Sequence, residues 1–135
     1  RHPIAEGKTA CTDCHNPHGS AGEASLRQVT LNDNCFSCHA DKRGPFLWEH
    51  PPAAEDCALC HKPHGSVHEP LLTARGPALC QQCHAAAFHP GQSYGSEGLP
   101  GGAATANQNL VGKNCLNCHS QIHGSNHPSG ARLTR

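Results

Sequence analysis

Ten cysteines fall in five pairs of identical spacing, and each pair is followed at once by histidine: CTDCH at 11–15, CFSCH at 35–39, CALCH at 57–61, CQQCH at 80–84 and CLNCH at 115–119. No cysteine is left over. Two thiols three positions apart reach the two vinyl groups of one porphyrin as thioethers, and the next side chain swings under the ring to ligate iron. The pairs Cys11/Cys14, Cys35/Cys38, Cys57/Cys60, Cys80/Cys83 and Cys115/Cys118 are thus read as attachment points for five haem c groups, with His15, His39, His61, His84 and His119 as proximal iron ligands. Zinc knuckles use such pairs two at a time, and five is odd. Disulfides do not demand a His after every second Cys. With 13 His in 135 residues, five such placements by chance have odds of roughly one in 10⁵.

Eight imidazoles remain. The chain has no Met, so the sixth ligand at each iron is most simply a second His, giving low-spin, low-potential haems. His18 and His64 sit in PHGS, His123 in the matching IHGS, and His50 and His89 in HP pairs. These five form the expected distal set. A His three or four residues past a proximal ligand can hardly reach the opposite face of the same porphyrin, so His18, His64 and His123 are expected to ligate neighbouring haems. His2, His68 and His127 are held in reserve, their plain alternative being solvated or propionate-bonded imidazoles.

The elements that must position these groups come in repeats. HPIAEGKTACTDCHNPHGS from His2 matches HPPAAEDCALCHKPHGS from His50, and LRQVTLNDNCFSCHA from Leu26 matches LTARGPALCQQCHAA from Leu72. The period is about 46 residues and carries two motifs. One unit runs over about 2–44, a second over about 50–88 and a half unit over about 89–127, all within one domain of residues 1–135. The Gly-rich stretch 91–109 reads as an exposed loop. Short helices are expected near 32–40, 55–61, 78–86 and 113–119, with coil elsewhere.

Composition excludes an ordinary interior. Leu, Ile, Val and Phe number 19 of 135, about 14%, below the roughly 20% under which chains usually stay disordered. Yet ten basic residues balance ten acidic ones, which is not the charge pattern of disorder. The expected fold is mostly coil with few short α-helices, an elongated multihaem cytochrome c with no conventional hydrophobic core. Porphyrin faces replace the missing core and cross-link the chain. Near-neutral charge gives no support to nucleic-acid binding, and no apolar run is long enough to span a bilayer. Haem is attached to CxxCH outside the cytoplasmic membrane, so an export signal is expected to have been removed or to lie upstream of Arg1.

CHNPHGS, CHADKRGPFLWEHPP from His39, CHKPHGS and the ending NCLNCHSQIHGSNHPSG are far more specific than CxxCH alone. On them the chain resembles, over essentially its whole length, the decahaem periplasmic cytochromes of the MtrA and DmsE type. It looks like the C-terminal five-haem half of such a protein, with pentahaem carriers of the NrfB type nearest in size. The resemblance implies a periplasmic or outer-membrane-associated electron carrier, working with redox protein partners that include an outer-membrane porin and an extracellular cytochrome. Having five motifs and not ten departs from the family pattern. Two other functions stay open. A multihaem redox enzyme needs an iron with an open sixth position, whereas every motif here ends in His. A conductive filament would use His2 and His127 to ligate across subunits. Trp48 is expected to pack on a porphyrin face.

Overall fold

A computed structural model describes residues 1–84 and 113–134. His89, the Gly-rich stretch 91–109 and the end of the helix expected over 78–86 lie outside the described residues.

Regular structure is sparse, as the composition requires. Three α-helices are present among the described residues: α1 (Cys11–Cys14), α2 (Leu31–Phe36) and α3 (Pro51–Glu55). None is long enough to be stable alone, so each is held by caps and by what it packs against. In α1 the Asp13 carboxylate accepts the Ala10 amide at 2.8 Å. In α2 the Thr30 hydroxyl accepts the Asp33 amide at 3.1 Å and donates to its carboxylate at 2.6 Å. Pro51 opens α3 at a position where the missing N–H is not needed. The third, fourth and fifth motifs carry single 3-10 turns at Cys57–Leu59, Cys80–Gln82 and Cys115–Asn117.

Helix thus survives for one turn around each cysteine pair. The expected spans were longer and did not include the first motif, because no apolar stripe marks these turns. They are set by the motif's own closure, in which the His N–H donates to the first cysteine's carbonyl in all five motifs, at 2.8–2.9 Å.

The 46-residue repeat is built into the backbone. Asn16 N–H donates to Ser25 O and Lys62 N–H to Leu71 O, both at 2.7 Å. Arg27 N–H donates to Cys14 O at 2.9 Å, and Thr73 N–H to Cys60 O at 2.8 Å. His15 bridges Leu26 as His61 bridges Leu72. Each first motif is therefore clasped by the strand-like segment that follows its HGS loop.

The units are tied to one another by polar contacts. Buried Asn32 on α2 donates to Ala54 O at 3.0 Å and accepts the Cys57 amide at 2.8 Å, locking the second motif to the third. Strand β1 (Trp48–Glu49) pairs antiparallel with β2 (Gly124–Ser125), so the link between the first two units holds the chain after the fifth motif. Asn126 accepts the Leu47 amide at 2.7 Å, and the Trp48 indole N–H donates to His127 O at 3.1 Å. Among the described residues the buried apolar side chains are Leu26 and Leu133 alone. A core of that size cannot offset the backbone entropy of ordering so much coil. No helix among the described residues is long and apolar enough to cross a membrane.

Candidate haem centres

The ten cysteines form no disulfide with one another. The two thiols of a pair differ in exposure. In the second, fourth and fifth motifs the second cysteine is exposed (Cys38, Cys83 and Cys118) while the first is half-buried (Cys35, Cys80 and Cys115). The first motif reverses this, with Cys11 exposed and Cys14 half-buried, and in the third both Cys57 and Cys60 are half-buried. The Cys57 thiol lies beside Cys35 and the Cys115 thiol beside Cys80. Cys38 instead accepts the Ser37 hydroxyl at 3.9 Å, and its N–H closes the turn onto Cys35 O at 3.2 Å. Cys118 N–H closes onto Cys115 O at 3.1 Å in the same way. Cys38 and Cys118 are thus held by the turn itself, without burial.

Crowding between motifs also shows in the thiol acidities. Burial, then Cys57 and Cys14, pushes Cys35 up to about 12. Burial raises Cys57 and Cys60, with Cys83 adding to the latter. Cys80 rises to about 11 through burial and the adjoining Cys115 thiol. As thioethers these sulfurs would carry no proton, so the shifts report only how closely successive motifs approach.

Among the described residues eight imidazoles lie in four facing pairs. The ring centres of His15 and His64 are 5.9 Å apart with planes at 15°, His50 and His84 6.0 Å at 18°, and His61 and His123 6.1 Å at 12°. His2 and His39 lie at 6.3 Å with planes at 49°. Rings at these separations are too far apart to touch face to face, and the gap has a definite size. A first-row metal binds imidazole nitrogen at about 2.0–2.1 Å, and the ring centre lies about 1.1 Å beyond it, so two imidazoles on opposite sides of one metal are about 6.2 Å apart. The residues present fit an iron between each pair. Among the described residues no cluster of three or more His, Cys, Asp or Glu forms a metal cage.

Which ring nitrogen is free follows from the hydrogen bonds. A carbonyl oxygen only accepts, so each Nδ1 facing one carries the proton and leaves Nε2 with its lone pair. His15 Nδ1 donates to Ala24 O at 2.9 Å, His61 Nδ1 to Pro70 O at 3.0 Å, His119 Nδ1 to Arg132 O at 2.6 Å and His2 Nδ1 to Pro63 O at 2.7 Å. Burial lowers the His50 pKa, with His84 opposite adding to the effect. His123 is lowered by burial, then by Lys42 and His61. Both are thereby kept neutral, the form that ligates metal.

Of the sequence-derived distal set, His50, His64 and His123 each face a motif histidine. His2, held in reserve, faces His39. The His18 ring faces no other imidazole among the described residues, and its backbone N–H donates to the Asn16 side chain at 3.1 Å. His68 is fixed through its backbone N–H to Ser66 Oγ at 2.9 Å. His127 is held in the opposite sense to the paired rings: its Nδ1 accepts the Ser129 amide at 3.1 Å, placing the proton on Nε2. The signal that would have found His2 is its HP context, which it shares with His50. His2 and His50 each face the second-motif histidine of their own unit.

The doubled CXXCH motif family matches residues 2–44 and 50–89. A multihaem cytochrome MtrA from Shewanella baltica (strain OS185) is 53% identical over 135 residues, covering 99% of this chain. The chain spans about 40% of that relative's length.

Proposed function

Because the chain belongs to the doubled CXXCH motif family of MtrA-type multihaem c-type cytochromes, we propose that it carries electrons along five bis-histidine haem c groups. The observation that carries this reading is the imidazole spacing, 5.9–6.3 Å at four of the five motifs. In the proposed set His64 serves the haem of His15, His2 that of His39, His123 that of His61 and His50 that of His84. His89, a remaining member of the distal set read from the sequence, is assigned to the haem of His119. An iron with two imidazoles has no open position for a substrate, which favours a carrier over an enzyme.

The thiol neighbours support a linear order. Cys14 and Cys57 act on Cys35, Cys83 on Cys60 and Cys115 on Cys80, which supports successive motifs lying near one another. The exposed partners Cys38 and Cys118 would then attach the outward edges of the second and fifth haems. The haem supplies the redox chemistry. The chain fixes axial ligands, burial and spacing, which set the potentials. Similarity to MtrA supports a place in an extracellular electron-transfer conduit, exported to the periplasm or outer membrane and acting between redox protein partners such as a porin-bound complex and an extracellular cytochrome.

Reductive titration of the purified holoprotein tests the reading. Five electrons are taken up per chain, every haem is low-spin, and the reduced protein binds no carbon monoxide. Uptake of fewer electrons, or carbon monoxide binding at any haem, refutes it.

A further inference from the structure

Two of the paired imidazoles rest on the peptide of another paired imidazole. His2 Nδ1 donates to Pro63 O at 2.7 Å, and that carbonyl belongs to the peptide bond made with His64. His2 faces His39 whereas His64 faces His15, so one hydrogen bond joins two pairs that belong to the first and second motifs. The third and fourth motifs repeat the arrangement. Burial and then His84 lower the His50 pKa, and the Ile122 backbone opposes them, as a carbonyl accepting from the ring does. Ile122 precedes His123, which faces His61, while His50 faces His84.

Backbone geometry brings each couple together. Strands β1 and β2 pair Trp48 with Ser125 and Glu49 with Gly124, so His50 and His123 leave the same end of the ladder side by side. At the other couple, Arg1 lies against Gly65, where a Cβ would stand 3.7 Å from the Arg1 Cβ; these are the residues next to His2 and His64. Gly65 N–H closes a turn onto Lys62 O at 3.1 Å, and Gly124 N–H closes one onto Gln121 O at 2.9 Å. Such a turn uses its first carbonyl and its last amide, which leaves the carbonyl of the central peptide free to accept from outside. The central carbonyls here are those of Pro63 and Ile122, fixed by the same turns that present His64 and His123.

We propose that the loop supplying the distal ligand of a first-motif haem also sets the potential of the second-motif haem beside it, by holding the carbonyl to which that second haem's distal ligand donates. This rests on the bis-histidine reading above. A hydrogen bond given by Nδ1 makes the ligating Nε2 more basic, which favours ferric iron and lowers the potential. His64 is then the ligand of the His15 haem and a positioning residue for the His39 haem: iron holds the ring, the ring holds the turn, and the turn holds the acceptor. His123 plays the same two parts for the haems of His61 and His84.

The test is potentiometric titration of the holoprotein, with electron paramagnetic resonance of the oxidised form. His64→Ala leaves one high-spin haem, at His15, and four low-spin haems. One of those four, the His39 haem, should rise in potential, its reduction equilibrium shifting about tenfold (about 59 mV for one electron), with altered g values. The direction discriminates, because earlier reduction of a five-coordinate neighbour would by charge alone lower a potential. Replacing His2 by Nδ-methylhistidine keeps Nε2 for iron and removes the Nδ1 proton; it should raise the same haem, and His64→Ala added to it should raise the low-spin set no further. Should the methyl group make that haem high-spin, His64→Ala alone decides. His123→Ala should act likewise on the His84 haem. Unmoved potentials among the four low-spin haems in both alanine variants, or additive rises in the doubly changed protein, overturn the inference. High-spin haem in the parent, or none in His64→Ala, counts instead against the bis-histidine reading.

Discussion

Replacing His64 by alanine separates two things that one side chain does. In the proposed arrangement His64 fills the sixth position of the His15 haem, and it also ties residue 64 to residue 15, closing a loop of 64 − 15 = 49 residues. Releasing a cross-link of that length returns about 4 kcal/mol of chain entropy to the unfolded state. The bonds from Asn16 to Ser25 and Lys62 to Leu71 remain, but they are local and do not replace the long closure. His64→Ala holoprotein should therefore show one high-spin haem in five, one carbon monoxide bound per molecule, and a fall in unfolding free energy of up to about 4 kcal/mol in guanidinium titration. Imidazole in the buffer should restore the low-spin spectrum without restoring the stability, since a free ligand refills the iron but closes no loop. An unchanged spectrum, or recovery of both properties with imidazole, refutes the reasoning. His18→Ala provides the contrast, because it should alter neither.

Asn32→Ala removes the two bonds that lock α2 to the third motif, leaving the Cys57 amide and Ala54 carbonyl without that partner. A loss of about 2–3 kcal/mol is expected in denaturant unfolding, with the haem spectrum intact. Gly124→Ala drives a methyl group into the Phe46 ring and meets a backbone at φ +138°, so it should destabilise by about 1–3 kcal/mol in thermal melts. Because Gly124 adjoins His123, carbon monoxide binding should appear at the His61 haem if the strand pairing gives way. Haem-free protein should show no cooperative transition by circular dichroism, since the buried apolar side chains among the described residues are only Leu26 and Leu133.

The motifs were fully legible in the sequence, because thioether attachment demands a fixed spacing whatever surrounds it. So was the scarcity of regular structure, which follows from 19 large apolar residues in 135. The unequal burial within pairs was not legible: nothing in CFSCH or CLNCH says that Cys38 and Cys118 face solvent, because exposure depends on tertiary packing and not on the motif's own spacing. The pairing of imidazoles was only partly legible. His18 and His64 sit in identical PHGS segments, yet the direction in which such a loop hands over its ring depends on how units stack, and a period of 46 residues does not encode that. His2 carried a usable signal, its HP context shared with His50, but reading it required knowing that His50 faces the second-motif histidine of its own unit. Trp48 was expected on a porphyrin face; its indole N–H reaches His127 O, a contact between residues 79 apart that no local pattern announces.

In the proposed arrangement the direction of pairing alternates along the chain: His2 and His50 precede His39 and His84, which they face, whereas His64 and His123 follow His15 and His61. A chain exported N-terminus first would therefore deliver both ligands of each second-motif haem with its own unit, and complete each first-motif pair only once the following unit has crossed.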